Sequence, residues 1–142
     1  MTTLVVGASG ATGKLLVNQL LESKQKVKIV VRSTSILPDN WKNNTYLTVI
    51  NRNISEITVE EMSEILAECS SVASCLGHNI TWKGIYGKPR KLVTDAVRLI
   101  CEAIFTNNTG KTIKFILMNI AGNSNRDILE YISLGQKMVI QL

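Results

Sequence analysis

Three glycines, Gly7, Gly10 and Gly13, recur every third residue between a short apolar stretch and a segment with helical apolar spacing. Gly7 allows a tight turn after a strand, Gly10 leaves room for a diphosphate against the backbone, and Gly13 permits close packing of the helix. An anion here would meet free N–H groups at the helix N-terminus. The hydroxyls of Ser9 and Thr12 can donate further hydrogen bonds. The pattern predicts a pyrophosphate-binding turn; the alternative is a glycine-rich turn that binds nothing.

The residue after the second predicted strand bears on the choice of dinucleotide. An acidic side chain there would bind the ribose 2′-hydroxyl of NAD, but the chain has Arg32. Its guanidinium can form paired hydrogen bonds with a 2′-phosphate, and the hydroxyls of Ser33 and Thr34 follow it. The sequence therefore predicts NADP in preference to NAD. The alternative is an ordinary exposed arginine at the end of a strand.

Predicted strands and helices alternate along the chain and would position these residues. Apolar runs predict strands at residues 4–6, 26–31, 46–50, 71–76 and 113–118. Helices are predicted after the glycine turn, over 58–68, over 93–105 and from 127 onward. The connection between the second and third strands is short for a crossover helix. This alternation indicates an α/β, Rossmann-type, doubly wound parallel sheet in the order 3-2-1-4-5, with a cofactor crevice at the carboxyl ends of strands 1 and 4.

Two of the predicted helices have distinct local signals. Thr58 and Glu61 have the spacing of a capping box, in which each side chain bonds the other residue's backbone amide. The helix over 93–105 is predicted to pack one apolar face on the sheet. That face comprises Val93, Ala96, Val97, Ile100, Cys101, Ile104 and Phe105.

Composition narrows the class of protein. The chain has 142 residues, 45% of them hydrophobic and 19% charged, as expected of one compact domain over 1–142. Its three cysteines have no C-x-x-C spacing, so we expect small buried side chains and neither a disulfide framework nor a metal site. The net charge of +5 comes from scattered basic residues, which does not favour nucleic-acid binding. No membrane span or leader is recognised, so we expect a cytoplasmic protein.

Four segments together resemble a known family. They are Gly-Ala-Ser-Gly-Ala-Thr-Gly at 7–13, Val-Val-Arg-Ser at 30–33, Leu-Gly-His at 76–78 and Arg-Lys-Leu-Val-Thr-Asp-Ala-Val at 90–97. They resemble the atypical short-chain dehydrogenase/reductases, and within these the NmrA-like regulators and the flavin reductases. The resemblance covers nearly the whole chain.

The resemblance implies a set of cofactor-binding residues. Those around the pyrophosphate would be Gly7, Ser9, Gly10, Ala11, Thr12 and Gly13, and those at the adenosine ribose phosphate Arg32 and Ser33. Asn53 and Ile54 would lie against the adenine, where the family usually has an aspartate and an apolar residue. The main chain of Cys75, Leu76 and Gly77 would run beneath the nicotinamide ribose.

The usual catalytic residues of this superfamily are not in their usual form. Asn119 stands where a serine or threonine is expected, and the position four residues after Tyr131 is Gly135. Lys137, six residues after the tyrosine, points about 120° away from it on a helix. The weak catalytic candidates are therefore Asn119, Tyr131 and His78, each with packing or hydrogen bonding as its alternative role.

Two functions fit these observations. One is an NADP-preferring oxidoreductase that transfers a hydride to a small acceptor such as a flavin or quinone. The other is a non-catalytic NADP-sensing regulatory protein of the NmrA-like type. Because the last predicted helix finishes without a capping signal, we also expect a chain truncated at its C-terminus, with a homodimer formed through the edge of the fifth strand or the last helix.

Overall fold

The computed structural model describes residues 1–77, 92–106 and 112–118. These residues form five strands and three helices, with two short 3₁₀ turns, Asp39–Trp41 and Ile54–Glu56. The strands are β1 (Thr2–Val6), β2 (Lys26–Val31), β3 (Leu47–Asn51), β4 (Ser71–Ser74) and β5 (Lys114–Leu117). The helices are α1 (Ala11–Glu22), α2 (Val59–Leu66) and α3 (Leu92–Thr106).

All neighbouring strands are parallel, and their order is β3-β2-β1-β4-β5. The predicted α/β fold and strand order are therefore confirmed. β4 is shorter than predicted and ends at Ser74 rather than at residue 76. The helix predicted from residue 127 lies outside the described residues.

Helices cover both faces of the sheet. Because successive side chains of a strand point to opposite faces, the strands contribute residues to both cores. On one face, Leu4, Val6 and Val72 are buried against α2 and α3. On the other, Val5 and Ile29 are buried with Val17 of α1. Because β1 is buried on both faces of the sheet, Leu4, Val5 and Val6 are all apolar instead of alternating with polar residues.

The face of α3 that packs on the sheet differs from the predicted one. Ala96, Ile100 and Ala103 are buried, whereas Cys101 is exposed and Phe105 is 88% exposed. At about 100° per residue, Phe105 points roughly 140° away from Ile100, so both cannot contact the same surface. The prediction is confirmed for Ala96, Ile100 and Ile104 and wrong for Cys101 and Phe105, because apolar residues cover most of this helix and only one stripe of them packs on the sheet.

The connection from β2 to β3 contains no α-helix, as its length predicted. Trp41 of this connection lies in the core beside α1 and is only 3% exposed. Its indole Nε1 donates a hydrogen bond to Asn18 Oδ1 of α1 at 2.6 Å. The indole thereby fixes the loop between Arg32 and β3 to the helix that begins at the glycine turn.

The predicted capping box is present at the start of α2. Thr58 Oγ1 accepts a hydrogen bond from the Glu61 amide at 3.2 Å, and the Glu61 carboxylate accepts one from the Thr58 amide at 3.0 Å. We expect Thr58→Ala to lower the free energy of unfolding by about 1 kcal/mol, because an amide at the helix start loses its acceptor. Urea unfolding followed by circular dichroism measures this. Thr58→Ser, which keeps the hydroxyl, is the control; equal stability of all three proteins would contradict the assignment.

Candidate functional site

The strand register brings the predicted binding residues to one edge of the sheet. Val6 at the end of β1 is the neighbour of Val30 in β2 and of Ser74 in β4. The residues that follow these three strands therefore lie at their carboxyl ends. In doubly wound sheets, ligands bind at this carboxyl end of the sheet, next to the point where the strand order reverses.

Gly7 adopts a backbone conformation that other residues rarely take, with φ of +77°. A Cβ atom here would lie 2.6 Å from the carbonyl carbon and oxygen of Cys75 and 2.7 Å from the amide nitrogen of Leu76. These are backbone atoms of the segment after β4, which cannot move aside independently. Glycine at this position lets the turn after β1 lie directly against the chain leaving β4.

The other two glycines of the turn differ in what surrounds them. A Cβ on Gly13 would overlap the Gly7 carbonyl oxygen and lie 2.8 Å from Ala8 Cα, so the first turn of α1 requires a glycine to pack on the loop. A Cβ on Gly10 would meet only the Gly7 carbonyl oxygen, at 3.3 Å. Gly10 is exposed, and the space above it is open to a ligand. Gly7 and Gly13 are therefore needed for the fold, whereas the fold places little constraint on a side chain at Gly10.

The N-terminus of α1 presents unpaired backbone amides. Gly10 is the N-cap residue and provides no side-chain acceptor, and the first helical hydrogen bond runs from Lys14 N to Gly10 O at 2.9 Å. Within the described ranges, the amides of Ala11, Thr12 and Gly13 have no acceptor. The first turn also contains no acidic residue. This end of the helix suits a phosphate, which would satisfy the amides and the positive end of the helix dipole.

Two arginines follow neighbouring strands at this edge, and they differ in their partners. Arg52, whose amide bonds Val31 O at 2.9 Å, pairs its guanidinium with both carboxylate oxygens of Glu61 at 2.8 and 3.1 Å. Arg32 is exposed, and its guanidinium has no hydrogen bond or ion pair with any residue that the structure describes. Ser33, which follows it, is also exposed. Of these two arginines, Arg32 is therefore the one available to an anionic ligand.

Asn53 is occupied within its own turn. Its Oδ1 accepts hydrogen bonds from the amide and the hydroxyl of Ser55, at 3.4 and 2.9 Å, and its Nδ2 donates to Glu56 at 3.2 Å. Ile54 is buried in the core on the α2 and α3 face. The side-chain amide of Asn53 therefore stabilises the 3₁₀ turn, and a ligand would have to compete with Ser55 for its oxygen.

The segment after β4 lies beside the glycine turn. The Cys75 amide donates to Val6 O at 2.9 Å, and burial raises the pKa of the Cys75 thiol, so its side chain stays protonated at neutral pH. Leu76 packs on the core, and Gly77 is exposed with open space at its Cβ position. The Ser74 hydroxyl, in a residue 1% exposed, has no hydrogen-bond partner among the described residues.

The three catalytic candidates, His78, Asn119 and Tyr131, lie outside the described residues. In the described part of the chain, no group of three or more His, Cys, Asp or Glu side chains is arranged to hold a metal ion. No helix described here is long and apolar enough to cross a membrane.

Asp95 is a polar residue near this edge that the sequence did not single out. It lies in the first turn of α3 and lines a groove with Ile54. Its position in the first turn of the helix after β4 was the only sequence feature that could have indicated a binding role. An acidic residue in a first helical turn usually indicates no more than a favourable interaction with the helix dipole.

Comparisons with known proteins agree with this geometry. The family described as NAD(P)H-binding matches residues 7–131, a range that begins at Gly7. No curated protein matches the chain in sequence.

Solved structures share the fold at low sequence identity. The oxidoreductase ylbE from Lactococcus lactis is 18% identical with a TM-score of 0.69, and the match covers 99% of this chain and 57% of that one. The UDP-glucose 4-epimerase of Thermotoga maritima, solved with UDP-glucose, is 20% identical with a TM-score of 0.65, covering 86% and 38%. The enzyme WbmH from Bordetella bronchiseptica, solved with NAD+, is 17% identical with a TM-score of 0.59, covering 77% and 36%.

The chain thus spans little more than half of the first of these structures, and less than two fifths of the other two. At such identities the likeness concerns the fold, while the family match rests on the sequence from the glycine turn onward. Together with the motifs that resemble the atypical short-chain dehydrogenase/reductases, the match to most of its length shows that the chain belongs to the NAD(P)H-binding family.

Proposed function

We propose that this chain is an NADP-binding domain, extending over residues 1–142, of an oxidoreductase that transfers a hydride to a small acceptor such as a flavin or quinone. The observation that carries the proposal is the glycine turn, which lies against the end of β4 and leaves the first amides of α1 without acceptors. A pyrophosphate on these amides would direct the nicotinamide half of the dinucleotide toward the carboxyl end of β4 and the adenosine half toward that of β2.

The preference for NADP over NAD rests on Arg32. Its exposed guanidinium lies at the end of β2, where an NAD-specific site would have a carboxylate. A fork of N–H groups suits the oxygens of a 2′-phosphate, and the Ser33 hydroxyl can add a donor. We expect NAD to bind more weakly, because it would make the same pyrophosphate contacts but has no 2′-phosphate to pair with Arg32.

The contribution of the described residues to the reaction is to bind and orient. When bound, the dihydronicotinamide ring supplies the hydride that reduces the acceptor, while a proton comes from water or a side chain. The backbone from Cys75 to Gly77 would support the nicotinamide ribose, and the protonated Cys75 thiol is no nucleophile. Holding two reactants in contact can account for much of a rate increase, so such a site needs no acid–base pair.

The alternative is a protein that binds NADP without turning it over, and it is favoured by Asn119 and by the spacing of Tyr131 from Lys137. NADPH oxidation with riboflavin, FMN and a soluble quinone as acceptors separates the two functions. We expect a loss of NADPH absorbance that depends on the acceptor and is lower in Gly10→Ala. Binding of NADPH without turnover on any acceptor would instead support the sensing function.

The proposed assembly is a homodimer through the outer edge of β5 or the last predicted helix. β5 ends the described sheet, and Lys114, Ile116 and Leu117 are exposed on it. An uncovered strand edge favours pairing with another chain. Sedimentation velocity at tens of micromolar is expected to show a dimer or larger species, and a clean monomer would contradict this.

A further inference from the structure

A groove lies between the 3₁₀ turn after β3 and the start of α3. It has a volume of about 180 Å³ and its described lining consists of Ile54, Ser55, Ile57, Leu92, Asp95, Ala96 and Leu99. Five of these seven side chains are apolar. The polar exceptions are Ser55 and Asp95, so the groove suits a flat apolar ring that carries a hydrogen-bond donor on its edge.

The position of the groove suits the base of a dinucleotide. β3 is two strands from β1 in the sheet, which places its carboxyl end about 10 Å from the glycine turn. One ribose and its linking phosphate can span this distance. The base would enter the groove beside Ile54 while its diphosphate lies on α1, and Arg32 at the end of β2 would lie between them.

The two polar side chains in the described lining of the groove differ in the acceptor that they offer to a ligand. The Ser55 hydroxyl donates its hydrogen to Asn53 Oδ1 and offers only the lone pairs of a neutral oxygen. Asp95 is exposed and has no hydrogen bond or ion pair with the described residues. Its carboxylate is a stronger acceptor than an amide oxygen and can only accept.

We propose that Asp95 accepts a hydrogen bond from the 6-amino group of an adenine ring in this groove, and that it makes the site select adenine over hypoxanthine. The inference rests on the proposed cofactor binding and concerns a different residue from those that hold the phosphates. Asp95 would then replace Asn53, which is held in its turn, as the acceptor for the base.

ADP and IDP test the inference, because they differ only in the purine: IDP has an oxygen in place of the 6-amino group and carries a hydrogen on N1. Isothermal titration of the full chain is expected to show ADP binding about tenfold more tightly than IDP, since a hydrogen bond to a charged group is lost and the carboxylate faces an oxygen. In Asp95→Asn the ratio should approach one, because the side-chain amide can donate to the oxygen of IDP.

A second variant, Asp95→Ala, removes the acceptor without adding a donor, and should also bring the ratio close to one. Removal of the Asp95 charge affects both diphosphates alike, so the ratio reports the base alone. Equal binding of ADP and IDP to the unmodified chain, or an unchanged ratio in both variants, would overturn the role of Asp95 while leaving cofactor binding intact. Failure of the unmodified chain to bind either nucleotide would overturn the proposed function and the inference together.

Discussion

Gly7→Ala is expected to lower the free energy of unfolding by at least about 3 kcal/mol, enough to unfold a marginally stable domain. A left-handed backbone costs a residue with a Cβ about 1–2 kcal/mol. The larger cost comes from the 2.6 Å approach of the new methyl group to the Cys75 carbonyl, since relieving it separates the glycine turn from the end of β4. Urea unfolding followed by circular dichroism measures the change.

Gly10→Ala is the matched control for this prediction. The same methyl group would meet only the Gly7 carbonyl oxygen at 3.3 Å, and the φ of Gly10 is −74°, which alanine adopts readily. We expect its unfolding free energy to stay within about 1 kcal/mol of the unmodified chain. Its affinity for the dinucleotide should nevertheless fall about tenfold or more, because the methyl group occupies the space of the pyrophosphate. Equal stability of Gly7→Ala and Gly10→Ala would contradict the assigned roles.

Arg32→Ala is expected to weaken NADPH binding by about ten- to a hundredfold, which corresponds to the loss of a charge-assisted pair of hydrogen bonds. NADH binding should be nearly unchanged, since NADH has no 2′-phosphate. Fluorescence titration of the reduced nicotinamide with both dinucleotides measures the two affinities.

Arg52→Ala provides a control that removes the same charge from the neighbouring strand end. The guanidinium of Arg52 is already paired with Glu61, so its loss should change NADPH binding far less than the loss of Arg32. Arg32→Lys keeps the charge without the planar fork and should give an intermediate affinity. If Arg32→Ala weakened NADH and NADPH equally, or if Arg52→Ala had the larger effect, the 2′-phosphate assignment would be wrong.

The parts of the fold that follow from local patterns were predictable from the sequence. Residues 4–6 of β1 and 29–31 of β2 are buried apolar runs, and Thr58 and Glu61 form the capping box that their spacing indicated. The strand order follows from the handedness of the crossovers, which leaves few alternatives once the elements are known. The turn at Gly7 was predictable because strand, glycine spacing and helix all indicate the same conformation.

Other features depend on tertiary contacts and could not be predicted. Apolar residues occupy most of the circumference of α3. Periodicity therefore does not determine which of them pack on the sheet, and the shape of the sheet selects the stripe that includes Ala96 and Ile100. The hydrogen bonds that hold Asn53 within its turn involve Ser55 and Glu56. Asparagine often caps a short turn in this way, but the sequence equally allows its side-chain amide to face a ligand. The groove beside Asp95 likewise forms only when α3 packs next to the 3₁₀ turn.

We propose that the glycine turn and Arg32 together form an NADP site. Titration of the unmodified chain with NADPH and NADH side by side, by isothermal calorimetry at one pH and ionic strength, tests it most directly. We expect one site per chain and an affinity for NADPH at least about tenfold higher than for NADH. Equal affinities would contradict the role of Arg32, and the absence of binding by either dinucleotide would contradict the site itself.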